Sequence, residues 1–271
     1  MLKPVDSHCH LQDPKFDADR AQVMERASDV LSAVVVVGDT LETSVQAVAL
    51  TQHPKVWAVI GMHPYNASRV DRGTLDTIRD MARESARVVA IGETGLDYYN
   101  EFSPRSDQRK AFEMQARLAA ELRLPLVVHN RQADADTLAL LREFHEELSG
   151  IIMHCFESGP GEADAFAELG CCISFAGNLT YPRAGNLRDA ARRVPDNLLL
   201  VETDAPYLAP QSVRGRRCEP ALVTLTVAAL AELRGEPPEF TADRTARNAA
   251  RVYGLNLSGN SENGTENSPD V

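Results

Sequence analysis

The chain has 271 residues, a hydrophobic fraction of 44% and a net charge of −11, enough apolar material for a sizeable core. That charge argues against a broad, sequence-independent grip on nucleic acid, which needs a basic surface. The first twenty residues carry Asp6, His8, His10 and Asp13 and no apolar run, so neither a signal peptide nor a membrane span is expected.

Taken in chain order, short runs rich in Val and Ile recur as "PVDSHCH" (4–10), "AVVVVGD" (33–39), "VWAVIGMH" (56–63), "VVAIGETG" (88–95), "LPLVVHNR" (124–131), "GIIMHCF" (150–156), "CCISFAG" (171–177) and "LLLVETDAP" (198–206). Their continuous rather than alternating hydrophobicity predicts strands buried on both faces, as in a parallel sheet. Amphipathic, helix-like segments fall between successive runs, and 219–234 and 241–254 follow the last of them. Strand then helix, repeated eight times, predicts an α/β fold of the TIM (β/α)8 barrel type, one domain over 1–256. The remainder, ending "SGNSENGTENSPDV", is polar with almost nothing to bury, so 257–271 is expected to be a disordered acidic tail.

Active sites of such barrels sit at the C-terminal ends of the strands. Strand one ends in His8 and His10, strand three in His63, strand four in Glu93, strand five in His129, strand six in His154 and strand eight in Asp204. Five of the seven histidines therefore fall on strand ends, which make up roughly a tenth of the chain in a barrel of this type; His53 and His145 lie in helix-like stretches and are expected at the surface. Side chains two apart on a strand point the same way, so His8 and His10 aim together into the barrel mouth while Cys9 points toward the helices as packing. The five cysteines are odd in number and lack C-x-x-C spacing, as expected of reduced thiols in a cytoplasmic protein.

Imidazoles and carboxylates are ligands for Zn²⁺ and, with more oxygen, for Mn²⁺ or Mg²⁺. Four histidines with Glu93 and Asp204 exceed what one tetrahedral ion takes, so two divalent cations bridged by Glu93 are expected, a pairing suited to hydrolytic displacement. None of Lys3, Lys15, Lys55 and Lys110 lies at a strand C-terminal end, which leaves no candidate for a bridging carbamylated lysine. Asp204 is placed to bind metal and take a proton from water, and Glu202 is expected behind the ligands. His63 is expected to be set apart from the ligands by strand order and to contact substrate oxygens. Arg131 and the group Arg214, Arg216 and Arg217 are candidates to clamp a phosphate.

The stretches "DSHCHL", "GMHP", "IGETGLDYY", "LPLVVHNR", "MHCF", "ETDAPYLAP" and "RGRRCEP", in this order over about 6–220, resemble the TatD-like metal-dependent deoxyribonucleases. The resemblance implies a barrel of the metallo-dependent hydrolase superfamily with two divalent metals. It also implies His8, His10, Glu93, His129, His154 and Asp204 as ligands, and phosphodiester hydrolysis in DNA, often as a 3′-to-5′ exonuclease. Three features depart from the family pattern: Glu157 lengthens the usual "HCFSG" to "HCFESG", Cys218 replaces the amide of "RNEP", and the tail has no counterpart. The expected partner is DNA, at ends or as a single strand, with neither a membrane nor an obligate protein partner. An amidohydrolase or esterase on a small carbonyl substrate, including deacylation of aminoacyl-tRNA, and a barrel without catalysis are the rival readings.

Overall fold

A computed structural model describes residues 1–257; residues 258–271, and with them nearly all of the expected tail, lie outside the described residues. Eight strands are present: β1 (Val5–Cys9), β2 (Ala33–Val37), β3 (Val56–Ile60), β4 (Val88–Asp97), β5 (Leu126–Arg131), β6 (Ile151–Met153), β7 (Cys172–Phe175) and β8 (Leu199–Val201). Each pairs in parallel with the next in sequence order. The ring closes where the Asp204 N–H donates to the His8 carbonyl at 2.9 Å and the His10 N–H to that of Ala205 at 2.7 Å. These bonds join the C-terminal ends of β1 and β8, so closure itself brings His8, His10 and Asp204 together.

Helices α1 (Arg20–Val30), α2 (Leu41–Leu50), α3 (Arg72–Glu84), α4 (Arg105–Leu122), α5 (Asp134–Phe144), α6 (Pro160–Glu168) and α7 (Gly185–Arg193) connect the strands, and α8 (Val223–Arg234) and α9 (Pro238–Tyr253) follow them. Local chemistry sets their ends. Thr40 and Thr43 form a capping box on α2, as Asp71 and Thr74 do on α3, and α8 and α9 stop at Gly235 and Gly254 in the left-handed conformation. α9 starts three residues earlier than hydrophobic periodicity predicts, because Pro238 occupies its first turn, where a missing N–H is harmless. Strand residues such as Val34, Val35, Ile60, Ile91 and Val127 are fully buried, each contributing about 1.5–3 kcal/mol of apolar burial. Among the described residues no helix is long and apolar enough to cross a membrane.

α4 supports the mouth of the barrel with two buried glutamines. Gln115 Oε1 accepts from the Met62 N–H at 2.8 Å, and its Nε2 donates to the Met62 carbonyl and to Thr94 Oγ1. This fixes the backbone just before His63 against β4. Gln108 does the same for Asp97, accepting from its N–H at 2.7 Å and donating to its carbonyl at 3.1 Å.

Candidate metal centre

Glu93 stands at the middle of the barrel mouth because β4 breaks its period there. The β4–β5 register slips between Ile91 and Thr94, and Gly92 and Gly95 on either side take φ values of +142° and +136°. A Cβ at Gly95 would lie 2.0 Å from the His129 carbonyl oxygen, so only glycine fits that conformation and that close approach. The slip turns the Glu93 carboxylate inward, 2% exposed, into a ring of five imidazoles.

Its two oxygens face different neighbours. Oε2 lies 3.4 Å from His8 Nε2 and 3.8 Å from His10 Nε2. Those nitrogens are 3.4 Å apart and lie 3.9 Å and 3.5 Å from Asp204 Oδ1. Oε1 lies 2.7 Å from His154 Nε2, 3.1 Å from His129 Nδ1 and 3.4 Å from His63 Nε2. A tetrahedral zinc site with ligand distances of about 2.1 Å has ligand–ligand edges of about 3.4 Å. Five of the six edges of the His8–His10–Asp204–Glu93 nest measure 3.4 to 3.9 Å, close to that spacing, and His8, His10 and Asp204 form a group able to hold a cation.

Partners that can only donate or only accept fix which ring nitrogen is free. His10 Nδ1 donates to the Val37 carbonyl at 2.9 Å, His129 Nε2 to Asp97 Oδ2 at 3.1 Å, and His154 Nδ1 to Glu202 Oε1 at 3.2 Å. In each neutral ring the lone pair is then on the nitrogen that faces the nest. His63 is the reverse. Its Nδ1 accepts from the Tyr65 N–H at 3.1 Å, so in the neutral ring Nε2 carries the proton and points a donor at Glu93 and the cavity. Strand order does not set His63 apart, as the sequence suggested, because β3 and β4 are neighbours; its tautomer distinguishes it instead.

Burial opposes charge on every group here; neighbours overcome it at Glu93, Asp204 and His10, and it prevails at His8 and His63. Glu93 sits well below the ordinary carboxylate range despite burial, held there by His154, His63 and His129. Asp204 is lowered against burial by His10, and His10 is pushed up to about 9 against burial by Asp204 and Glu93. Burial and its stacked neighbour His154 lower His8, and burial lowers His63. Two anionic carboxylates amid convergent nitrogens form a nest with the charge and the lone pairs for cations.

Other carboxylates hold these side chains in place. Asp97 Oδ1 accepts from the Tyr99 and Asn100 N–H groups at 3.0 and 2.7 Å, and Oδ2 takes His129 Nε2 and Asn100 Nδ2, each at 3.1 Å. Glu202, fully buried, also accepts the Cys155 N–H at 2.8 Å, fixing the loop that follows His154. Asp6 Oδ1 and Oδ2 take the Thr203 N–H and hydroxyl at 2.8 and 2.6 Å, tying β1 to the end of β8. Reading the sequence assigned roles to neither Asp97 nor Asp6, although both lie inside stretches it singled out.

A cavity of about 430 Å³ opens over the nest, lined by His10, His63, Glu93, His129, His154 and Asp204 together with Asp39, Tyr65, Asn130, Arg131, Cys155, Glu157, Tyr207 and Leu208. Arg131 reaches it. Arg214 and Arg216 are exposed and do not line it; Arg214 stacks over Tyr181 at 4.4 Å, and Arg217 pairs with Asp19 at 2.6 Å and covers Phe16. Arg214 and Arg217 turn to separate partners and Arg216 is exposed, so none of the three lines the cavity over the nest. Cys9 is fully buried packing, and His53 and His145 lie away from the cavity, partly exposed.

A family model described as "TatD related DNase" matches residues 5–254. The uncharacterized metal-dependent hydrolase YabD of Bacillus subtilis (strain 168) is 35% identical over 253 residues, covering 93% of this chain and 99% of the relative. A protein named 3′-5′ ssDNA/RNA exonuclease TatD, from Rahnella sp. (strain Y9602), is 38% identical over 254 residues, 91% of this chain and 96% of its own. Among solved structures, that of YjjV, a TatD homologue from Escherichia coli K12, superimposes with a TM-score of 0.87 at 28% identity, covering 93% of this chain and 98% of that one.

Proposed function

The chain belongs to the TatD-related DNase family and is a metal-dependent hydrolase of that type, and from that premise we propose that it cleaves phosphodiester bonds of DNA from the 3′ end. Glu93 carries the reading: one buried carboxylate presents each of its oxygens to a separate set of imidazole nitrogens, the arrangement a bridge between two divalent cations needs. In the proposed site His8, His10, Asp204 and Glu93 hold one cation, and Glu93, His129 and His154 the other. Zn²⁺, Mn²⁺ and Mg²⁺ are the candidates. When bound, such a pair supplies Lewis-acid stabilisation to the phosphoryl oxygens and acidifies the attacking water.

The chain's own groups do the rest. Asp204, anionic and 14% exposed at its side chain, takes the proton of the attacking water at a carboxylate oxygen. His63 offers its Nε2–H to a phosphoryl oxygen, as its tautomer favours. Arg131 offers guanidinium N–H groups to a phosphate beside the scissile one. Tyr65 and Tyr207, on the cavity wall, provide apolar faces for a nucleoside. Arg214 and Arg216 have no part in gripping the scissile phosphate. The catalytic unit in this reading is one barrel over 1–256, and its five unpaired cysteines support a reducing, cytoplasmic setting.

The test is chelation followed by add-back of Zn²⁺, Mg²⁺ or Mn²⁺, with turnover read on 3′- and 5′-labelled single-stranded DNA, a nitrophenyl phosphodiester, and acyl substrates including aminoacyl-tRNA. Metal-restored shortening of DNA from the 3′ end supports the reading. Acyl turnover without DNA cleavage would overturn it in favour of carbonyl chemistry. Activity that survives Glu93→Ala or Asp204→Ala would belong to a contaminant.

A further inference from the structure

The cavity over the metal nest continues outward. Asn130, Arg131 and Glu157 line both it and a second cavity, of about 380 Å³, which runs from the ends of β5 and β6 toward α6. Arg131 Nε and Glu157 Oε2, 3.9 Å apart, stand together where the two cavities meet.

The carboxylates further out are already engaged. Asp134 accepts from Asn130 Nδ2 at 2.7 Å and Ser158 Oγ at 2.5 Å, and Glu162 accepts the Gly159 N–H at 3.1 Å. Glu157 is held loosely by comparison. Its Oε1 is 3.5 Å from Asn178 Nδ2, its Oε2 is 3.9 Å from Arg131 Nε, and its side chain is 43% exposed. Arg131 sits over Tyr99, its Cζ 4.2 Å from the ring centre, a cation–π contact that still leaves guanidinium N–H groups for a neighbouring anion. The anion beside it is Glu157.

We propose, building on the phosphodiesterase reading above, that Glu157 is a specificity-determining residue. It competes with the substrate's next phosphate for Arg131, and so weakens binding of a multi-phosphate chain relative to a single phosphodiester. A phosphate arriving at Arg131 must displace a carboxylate already there and meets its charge while doing so. Both effects act beyond the scissile bond, so they change binding and leave the chemical step alone.

The experiment compares wild type, Glu157→Gln, Arg131→Gln and the double variant, all metal-loaded. KM and kcat are measured on a single-stranded oligonucleotide and on bis(4-nitrophenyl) phosphate, and Kd by fluorescence anisotropy on a cleavage-resistant phosphorothioate oligonucleotide. Glu157→Gln is expected to lower KM and Kd for the oligonucleotides by about two- to fivefold, the scale of one partly exposed ion pair. Its kcat and its KM for the one-phosphate substrate are expected to stay unchanged, and the gain to shrink in high salt and vanish in the Arg131→Gln background. An unchanged KM and Kd, or an equal gain without Arg131 or on the one-phosphate substrate, overturns the proposal. A wild-type enzyme that neither binds nor cleaves the oligonucleotide overturns the nuclease reading and this one together, whereas a competent wild type with an indifferent Glu157→Gln overturns only this one.

Discussion

Replacing Asp97 with asparagine should weaken one metal-binding event and spare the fold. Asp97 Oδ1 accepts two backbone N–H groups, from Tyr99 and Asn100, and an asparagine carbonyl accepts both equally well, so the loop after β4 keeps its shape. The change falls on Oδ2, which lies 3.1 Å from both His129 Nε2 and Asn100 Nδ2; the half-buried Asn100 amide can turn away, but an NH₂ there would still meet the ring's own N–H. Two donors cannot bond. The imidazole must move its proton to Nδ1, the atom 3.1 Å from Glu93 Oε1, or rotate out of the nest; either change removes the lone pair presented to a cation. Losing a carboxylate behind a ligating histidine lowers metal affinity about 10- to 100-fold, or about 1.4 to 2.7 kcal/mol. Competition titration of the metal-free protein with a chromogenic chelator should resolve two binding events in wild type. In Asp97→Asn the weaker affinity should appear in one event only, that involving His129 and His154, while the melting temperature in excess chelator stays within a few degrees of wild type. Two unaltered binding events would refute the assignment of His129 Nδ1 as a donor to metal. Equal weakening of both would mean that Asp97 acts through the fold rather than through one ring.

Gly95→Ala places a Cβ 2.0 Å from the His129 carbonyl oxygen at a φ of +136°, so urea unfolding in chelator should show a loss of at least about 2 kcal/mol; a smaller loss would mean that β4 can shift off β5. Metal-free protein should lose stability as pH rises from 6.5 to 9. His10 has its folded value raised to about 9, so its contribution is complete below the unfolded value near 6.5 and is lost as pH passes through 9. Melting temperatures across that range should fall in wild type and fall less in His10→Gln. Arg216→Ala should leave kcat/KM on a short single-stranded oligonucleotide within about twofold, as expected of an exposed charge outside the cavity; a tenfold loss would require the 214–217 loop to fold over the mouth.

The barrel was legible because fully buried strands announce themselves as unbroken apolar runs: a stretch such as Ala33–Val37 leaves no polar face to confuse with a helix. The candidate site was legible for a related reason, since barrel sites gather at strand ends and the runs end in histidines and carboxylates that the structure brings together around Glu93. What stayed hidden depends on contacts across elements. Asp97 lies four residues beyond Glu93 on the same strand, but the register slip at Ile91–Thr94 makes counting in twos meaningless there, so its side chain could not be aimed from sequence. The proton position on His63's ring depends on one N–H from Tyr65, and the separation of Arg214 from Arg217 depends on where Tyr181 and Asp19 sit, far away in the chain. Glu157 joins both cases. It stands in plain view in the sequence, yet its meaning comes from Arg131, which β5 carries to within 3.9 Å and which sits over Tyr99. A local departure in sequence becomes a statement about substrate only when the barrel supplies the charge that it opposes.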